Sequence, residues 1–341
     1  MRIVLATGIY PPDIGGHSFY AQKLKEALEK QGHVIQLCLY GRLKLFPTSI
    51  RHVAFGMKLL LAIRGQDAVI AFDTFSVAVP AGVVARITGK PTLVRAAGDF
   101  VWESYIERTH DFLPLPDVYR HRERWNLKER LSFRIIRWAL AHVHIVFSTD
   151  WIKDIWLREY GFDISRTHVI ENAIEPKLES IPPKRKNFLF YSRAIALKNA
   201  EAFRRALAHA KRHHPDIELE EGQISHDELL KRMQSSYAVV VPSISEVSPN
   251  IVIESLRCGK PFLMTKYSGY AKRFADYGVL VDPLSENDME RGIRELADPA
   301  VYAVLTKKIA TFNEVHTYDD IAREFVELLT MLQEKSFSPS K

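Results

Sequence analysis

The chain has 341 residues, of which 47% are hydrophobic and 26% charged, a composition ordinary for globular proteins and a length that suggests two domains. Its two cysteines, Cys38 and Cys258, show no paired spacing, which excludes a disulfide framework and indicates a reducing compartment. No apolar run reaches membrane-spanning length, so we expect a cytoplasmic protein. The net charge of +6 lies mostly in the first half of the chain and suggests an acidic partner there.

Short apolar runs alternate with helical patterns along the first half. Strands are predicted at residues 2–7, 34–39, 68–72, 92–95, 143–147 and 167–170. Helices are predicted between them, including residues 17–31 and 77–88. This alternation is typical of a parallel, doubly wound α/β sheet, which binds ligands at the carboxyl ends of its strands.

Gly15 and Gly16 lie at the turn between the first strand and the first helix. Without side chains there, a ligand can approach the backbone closely. The spacing differs from the dinucleotide fingerprint Gly-x-Gly-x-x-Gly, which argues against a nicotinamide cofactor.

A long helical pattern at residues 120–142 is rich in cations. They are Arg120, Arg122, Arg124, Lys128, Arg130, Arg134 and Arg137. The apolar face is predicted to consist of Trp125, Leu127, Leu131, Ile135 and Trp138. One interpretation is a surface helix with its tryptophans in the core; the other is a helix that lies on an anionic membrane.

The second half repeats the alternation after a proline- and lysine-rich linker at residues 176–186. Its predicted strands are residues 188–191, 217–219, 238–241, 262–264 and 279–281. Its predicted helices are residues 198–213, 225–233, 288–296, 300–313 and 318–335.

The segment after the strand at 238–241 has the features of an anion site. Ser248 is expected to cap a helix with Pro249 in its first position, so that the amides of Asn250, Ile251 and Val252 face a ligand. The first amides of a helix have no hydrogen-bond acceptor within the helix, so they are free to bind a phosphate.

Charged side chains surround this helix start. Glu246 precedes it and Glu254 lies about one turn into it, while Arg193 and Lys198 flank another strand-to-helix turn. Two acids beside a phosphate site suit a nucleotide sugar, which has hydroxyls at both ends; the alternative is a pair of solvated surface acids. Arg and Lys beside a helix start suit a diphosphate.

These motifs resemble a known family. The sequence Pro-Ser-x-x-Glu246-x-x-Pro-Asn, with Glu254 eight residues after Glu246 and then Cys-Gly-Lys-Pro, resembles the donor-site signature of retaining glycosyltransferases of family 4. The segment at 10–16 resembles the donor loop of that family. Arg193 and Lys198 resemble its diphosphate clamp, although Ser192 and Asn199 replace the usual glycines.

The resemblance implies the GT-B fold, with two Rossmann-like domains facing across a cleft. Residues 1–175 would be the acceptor side and residues 187–316 the donor side, with the helix at 318–335 packing back on the first domain. The loop around Ile224 would border the nucleotide base. Asp99 would be an acceptor-side polar group or base, or else a loop aspartate that caps the segment after it.

The function implied is transfer of a sugar, with retention, from a UDP- or GDP-sugar to a hydroxyl of a glycan or lipid-linked glycan. Arg193, Lys198, Glu246 and Asp99 are the candidate catalytic residues. No Asp-x-Asp motif occurs, so neither a metal nor another cofactor is expected. Under the membrane interpretation of the basic helix, the protein would also contact the inner face of an anionic membrane.

Two other functions remain open at this point. A sugar-nucleotide 2-epimerase shares the GT-B fold, but the acid pair fits transfer better. A non-enzymatic binder of nucleic acid or of an anionic surface would explain the basic first half, although no nucleic-acid motif occurs and no nucleic-acid partner is expected.

Overall fold

The computed structural model describes residues 1–11, 16–41, 43 and 47–337. The chain forms two contact units. The first consists of Met1–Val101, Glu123–Ala173 and the C-terminal segment from His316, and the second of Trp102–Arg122 and Ile174–Val315. The assignment of acceptor and donor sides to these units stays a prediction.

The first unit has a parallel sheet. Its strands are β1 Arg2–Thr7, β2 Val34–Leu39, β3 Ala68–Phe72, β4 Thr92–Ala96, β5 His144–Phe147 and β6 Thr167–Val169. Among the described residues they are ordered β2-β1-β3-β4-β5-β6. β3 and β4 are buried along their whole length, which explains their nearly continuous apolar sequences.

Helices connect these strands. They are α1 Gly16–Lys30, α2 Thr48–Ala62, α3 Ala78–Thr88, α4 Phe100–Thr109, α5 Leu115–Arg120, α6 Leu127–Leu140 and α7 Asp150–Tyr160. α4 begins in the first unit, but from Trp102 onward it belongs to the second, together with α5.

The second unit has its own parallel sheet. Its strands are β7 Lys186–Tyr191, β8 Ile217–Gly222, β9 Ala238–Val241, β10 Phe262–Thr265 and β11 Gly278–Val281. Within the described ranges their order is β11-β10-β9-β7-β8. The remaining helices of the chain are α8 Ala200–Ala210, α9 His226–Ser235, α10 Asn250–Arg257, α11 Ala271–Phe274, α12 Glu286–Ala297, α13 Pro299–Ala310 and α14 Tyr318–Phe337. The predicted α/β class with parallel sheets is confirmed.

Two helices from opposite ends of the chain pack together in the first unit. Leu24 and Leu28 of α1 share a buried cluster with Phe325 and Leu329 of α14. Lys30 also forms an ion pair with the start of α14. The C-terminal helix therefore completes the core of the N-terminal sheet.

The basic segment differs from its prediction. It is not one helix, because Asn126 and Glu129 form a capping box that starts α6 after a short 3₁₀ turn at Arg122–Arg124. Trp125 is buried, but Leu127, Leu131 and Trp138 are exposed. The core-facing residues of α6 are instead Phe133, Ile136, Ala139 and Leu140. Across the described residues, no helix is both long and apolar enough to cross a bilayer.

Candidate functional site

The start of α10 follows the buried strand β9, but one detail of the prediction is wrong. α10 begins at Asn250, and Pro249 occupies the capping position without a side-chain hydrogen bond. Ser248 is therefore not the cap, and Pro249 is not the first helical residue. The reason is that Pro249 has extended backbone angles while its carbonyl accepts a hydrogen bond from the Val252 amide at 3.0 Å. The side chain of Val252 is buried and its amide is engaged by Pro249, so the predicted contact of this amide with a ligand differs from the structure. The amides of Asn250 and Ile251 remain the candidates.

Lys198 and Glu246 lie in direct contact. The Lys198 ammonium donates to Glu246 Oε1 at 2.5 Å, and the Ser243 hydroxyl donates to the same oxygen at 2.6 Å. The side chains of Lys198 and Glu246 are only 22% and 15% exposed. The Glu246 backbone is also fixed, because its amide donates to the Tyr267 carbonyl and its carbonyl accepts from the Gly269 amide. Two predicted site residues thus form a partly buried ion pair on a rigid loop.

Asn199 occupies a position where the similar family motif usually has glycine, and it adopts the backbone conformation that this position requires. It has φ of 55°, the left-handed conformation that glycine and asparagine adopt most readily. Its side-chain amide is buried and donates to the carbonyls of Pro242 and Pro283, at 3.2 and 2.8 Å. Asn199 therefore fixes the turn that carries Lys198 to the loop that carries Glu246.

Glu254 is paired with a residue that the sequence did not indicate. Its Oε1 lies 2.7 Å from Nε2 of His226, the first residue of α9. The Glu254 carboxylate raises the pKa of His226 above its usual value. The two side chains therefore form an ion pair below that raised pKa, and the positive charge is lost as the pH rises through it. Ile224, two residues before His226, belongs to the loop that is expected to border the nucleotide base.

Arg193 lies at the wall of a cavity of about 930 Å³ within the second unit. Its side chain is exposed, and no hydrogen bond or ion pair of its guanidinium occurs in the described part of the chain. The same cavity is lined by Gly222 and Gln223 at the end of β8, and by Phe112. Lys198, Glu246 and Glu254 do not line it. Asn199, next to Lys198, and Ile244, two residues before Glu246, do line it, so this cavity borders the turn and the loop that carry the ion pair.

The glycine turn is only partly described. Gly16 is the first residue of α1 and is exposed, and a Cβ added there would meet nothing within 4 Å. Gly15 lies outside the described residues. The expectation that a ligand approaches this turn stays a prediction.

Asp99 follows β4 as predicted, but its side chain is completely buried. Its Oδ2 accepts a hydrogen bond from the indole Nε1 of Trp156 at 2.9 Å. An acceptor-side group would have to be accessible to a substrate, whereas α7 places Trp156 against Asp99 in the structure. Its role as an acceptor-side group or base stays a prediction.

Asp73 is a second carboxylate at this edge of the sheet, and our sequence analysis missed it. It directly follows β3, has φ of 115°, and its Oδ1 accepts hydrogen bonds from the amides of Phe75, Val77 and Ala78. Its Oδ2 lies beside Gly8, where an added Cβ would be 3.8 Å away. A polar residue directly after a buried strand is a signal that could have identified Asp73 from the sequence.

Burial raises the pKa of Asp73 to about 6, although the surrounding amides oppose this shift. The folded-state pKa exceeds the ordinary value, so ionisation of Asp73 costs stability, and this cost accumulates as the pH rises from the ordinary pKa of an aspartate to about 6 and is constant above that. We expect Asp73→Asn to increase the free energy of unfolding by about 1–3 kcal/mol near pH 8 and by less near pH 5. Urea unfolding at both pH values measures this, with the exposed Asp154→Asn as a control. An equal effect at both pH values would contradict it.

No group of three or more His, Cys, Asp or Glu side chains suited to a metal ion occurs among the residues that the structure describes. The side chains gathered near α10 are instead two acids, a lysine and a histidine, next to a helix start. Such a set can bind an anion with its lysine and amides and accept hydrogen bonds from hydroxyls with its carboxylates.

Comparison with known proteins agrees with this chemistry. Residues 221–307, which include Glu246, Glu254 and α10, match the family model for glycosyl transferases group 1. A D-inositol 3-phosphate glycosyltransferase from Paenarthrobacter aurescens (strain TC1) is 24% identical over 198 residues. That match covers 45% of this chain and 48% of the relative, so it spans about half the length of the curated protein.

Solved structures resemble the chain over nearly its whole length. Sucrose-phosphate synthase from Thermosynechococcus elongatus superposes with a TM-score of 0.71 at 16% identity, covering 98% of this chain and 99% of that one. HepE from Anabaena in complex with UDP-glucose gives a TM-score of 0.67 at 13% identity, covering 97% and 100%. The chain therefore has the GT-B fold of these glycosyltransferase structures, and its residues 221–307 match the group 1 glycosyl transferase family.

Proposed function

We propose that the protein is a retaining glycosyltransferase of family 4 that moves a sugar from a UDP- or GDP-sugar to a hydroxyl of a glycan or lipid-linked glycan. The observation that carries this proposal is the Lys198–Glu246 ion pair on the loop that leads into α10. The family match over residues 221–307 and the GT-B fold support it. The neighbour that binds UDP-glucose supports a nucleotide sugar as the donor.

Lys198 and Glu246 are suited to bind two different parts of the donor. The lysine would bind the diphosphate, and Glu246, still held by Ser243, would accept hydrogen bonds from sugar hydroxyls. The two groups already form an ion pair in the free protein. Their limited exposure strengthens each electrostatic contact.

The leaving diphosphate is the centre of the proposed catalysis. The bond between the anomeric carbon and the phosphate oxygen breaks, and its electron pair leaves with the diphosphate. The acceptor hydroxyl oxygen bonds to the anomeric carbon, and its proton departs with the nucleotide product. Lys198, Arg193 and the amides of Asn250 and Ile251 would stabilise the negative charge that develops, which is electrostatic catalysis.

The nucleoside would lie further along the same helix, one turn from its start. Glu254 would hold the ribose hydroxyls, with His226 fixing the orientation of its carboxylate, and the loop at Ile224 would border the base. On the acceptor side, Asp99 remains a proposed base only if Trp156 moves away from it. Normal turnover of Asp99→Asn would remove that role.

A thermal-shift screen tests the proposed donor. Nucleoside diphosphates and their sugars should raise the melting temperature, because a ligand that binds only the folded state stabilises it. We expect UDP or GDP, and the matching sugar nucleotide, to do so, with AMP as the control. Incubating the stabilising sugar nucleotide without an acceptor should give slow hydrolysis and no isomer. Absence of any shift, or formation of an isomer, would contradict the proposal.

A further inference from the structure

Three helices of the first unit lie side by side. α2 contacts α3, and α3 contacts α6. The second contact is close, because a Cβ added to Gly82 of α3 would lie 2.3 Å from the Ala139 carbonyl oxygen of α6. The connections from β2 to β5 all run in one direction across the sheet, and right-handed crossovers place their helices on the same side. α1, whose connection runs the other way, lies on the opposite side with α14.

Each of these helices exposes large apolar side chains, and every one of them is more than half exposed. They are Ile50, Val53, Met57 and Leu61 on α2, Ile87 on α3, and Leu127, Leu131 and Trp138 on α6. On α2 and α6 the spacing of three, four or seven residues puts them on one stripe of each helix. We call the surface formed by these eight residues the three-helix face.

The exposed apolar stripe of α6 is not the side of this helix that packs into the core. Phe133, Ile136 and Leu140 already fill the core side of this helix. Leu127, 81% exposed, and Trp138, 54% exposed, form a second apolar stripe that the first unit does not bury. Apolar surface of this extent is uncommon on a protein that has no partner for it.

The exposed charge carried by these three helices has one sign. The segments Thr48–Ala62 and Ala78–Thr88 contain no Asp or Glu, and the one acid of α6, Glu129, is buried in the capping box. Exposed cations accompany the apolar residues: they are Lys58, Arg86, Lys128, Arg130, Arg134 and Arg137. The Arg86 guanidinium lies 5.5 Å from the centre of the Trp138 ring, which joins α3 and α6 on this surface.

We propose that the three-helix face docks the protein on a bilayer that contains anionic lipid. The apolar side chains would enter the headgroup boundary while the cations pair with lipid phosphates, as amphipathic interfacial helices do. A second copy of the chain is a poorer occupant, because a symmetric contact would bring two cationic faces together. The inference goes beyond the proposed function: it takes up the membrane contact that the basic segment suggests in the sequence and extends it from α6 to α2 and α3.

The test is co-sedimentation with vesicles of phosphatidylcholine and phosphatidylglycerol, compared with phosphatidylcholine alone, at low and high salt. The protein should bind the mixed vesicles at low salt, and much less without the anionic lipid or at high salt. Met57→Glu with Leu61→Glu, and separately Leu127→Glu with Leu131→Glu, should each weaken binding at least about 10-fold. Lys128→Glu with Arg134→Glu should act in the same direction.

The control is Val304→Glu with Val315→Glu, two equally exposed apolar residues in the second unit, which should bind like the wild type. All variants should melt like the wild type and show the same thermal shift with UDP or GDP, which separates this inference from the proposed function. Failure of the wild type to bind anionic vesicles, or unchanged binding of the α2 and α6 variants, would overturn it. A dimer that the same substitutions dissociate would overturn it as well, because the face would then be a protein interface.

Discussion

Replacing Lys198 by alanine should lower kcat for the sugar nucleotide by about 10²- to 10³-fold, the usual loss when one group that stabilises a leaving anion is removed. The ammonium already lies at the Glu246 carboxylate in a partly buried position, so water cannot fully replace it. Release of nucleoside diphosphate from the donor identified by thermal shift measures the effect. KM should change less than kcat, because the lysine would act on charge that grows in the transition state.

Three variants make this result specific. Lys198→Arg keeps the charge with a different shape and should recover only part of the activity. Lys211→Ala removes an exposed lysine just after α8 and should leave turnover unchanged. Lys198→Ala with Glu246→Gln removes both members of the pair and avoids a partly buried carboxylate without its cation. Turnover near the wild-type value in a folded Lys198→Ala protein would refute the role of this lysine.

Replacing Glu254 by alanine should weaken UDP or GDP binding by about 10- to 100-fold, because hydrogen bonds to a charged group contribute about 1.5–3 kcal/mol each. The effect should be in affinity more than in kcat, since the ribose is remote from the reacting bond. The wild type should bind the 2′-deoxy nucleotide more weakly than the ribonucleotide. Calorimetric titration of both nucleotides measures the two effects.

Comparing the ribonucleotide and the 2′-deoxy nucleotide on both the wild type and Glu254→Ala isolates the contact with the ribose. If Glu254 holds the 2′-hydroxyl, Glu254→Ala should no longer distinguish the two nucleotides. His226→Ala should give a smaller loss, because it removes the group that orients the carboxylate and leaves the carboxylate itself. Glu327→Ala, on the exposed side of α14, is the control. A Glu254→Ala protein that still prefers the ribonucleotide would show that another group makes this contact.

Much of the fold follows from local sequence. The predicted strands 2–7, 34–39, 68–72 and 238–241 agree with the structure at both ends, because each is a short apolar run bounded by polar or turn residues. The start of the helix predicted at 225–233 also agrees to within one residue, since α9 begins at His226 and the Ser225 hydroxyl caps it by accepting from the Glu228 amide. These features depend on residues a few positions apart.

Some of the predictions that are wrong concern burial, which depends on contacts between residues far apart in the sequence. The apolar stripe of Leu127, Leu131 and Trp138 has the right period for a core face, yet the packing of α6 on α3 buries the neighbouring stripe instead. Periodicity gives a stripe but cannot say which stripe faces the core when a helix has two. Burial of Asp99 likewise depends on Trp156, which is 57 residues away in the chain.

In the candidate site, too, the residues that belong to local motifs could be predicted, whereas the contacts between distant residues could not. Arg193, Lys198, Glu246 and Glu254 could be proposed from type and spacing, because a diphosphate needs cations and hydroxyls need acceptors. His226 could not, since only the fold brings it to Glu254, 28 residues later. The pairing of Lys198 with Glu246 across 48 residues was also beyond the sequence, although both residues could be proposed separately.

A crystal structure of the protein with UDP or GDP tests the proposed donor site most directly. We expect the diphosphate to lie against the Lys198 ammonium, the Arg193 guanidinium and the amides at the start of α10, with the ribose on Glu254. A nucleotide whose diphosphate lies away from the start of α10, with Lys198 still on Glu246, would contradict the proposed donor site.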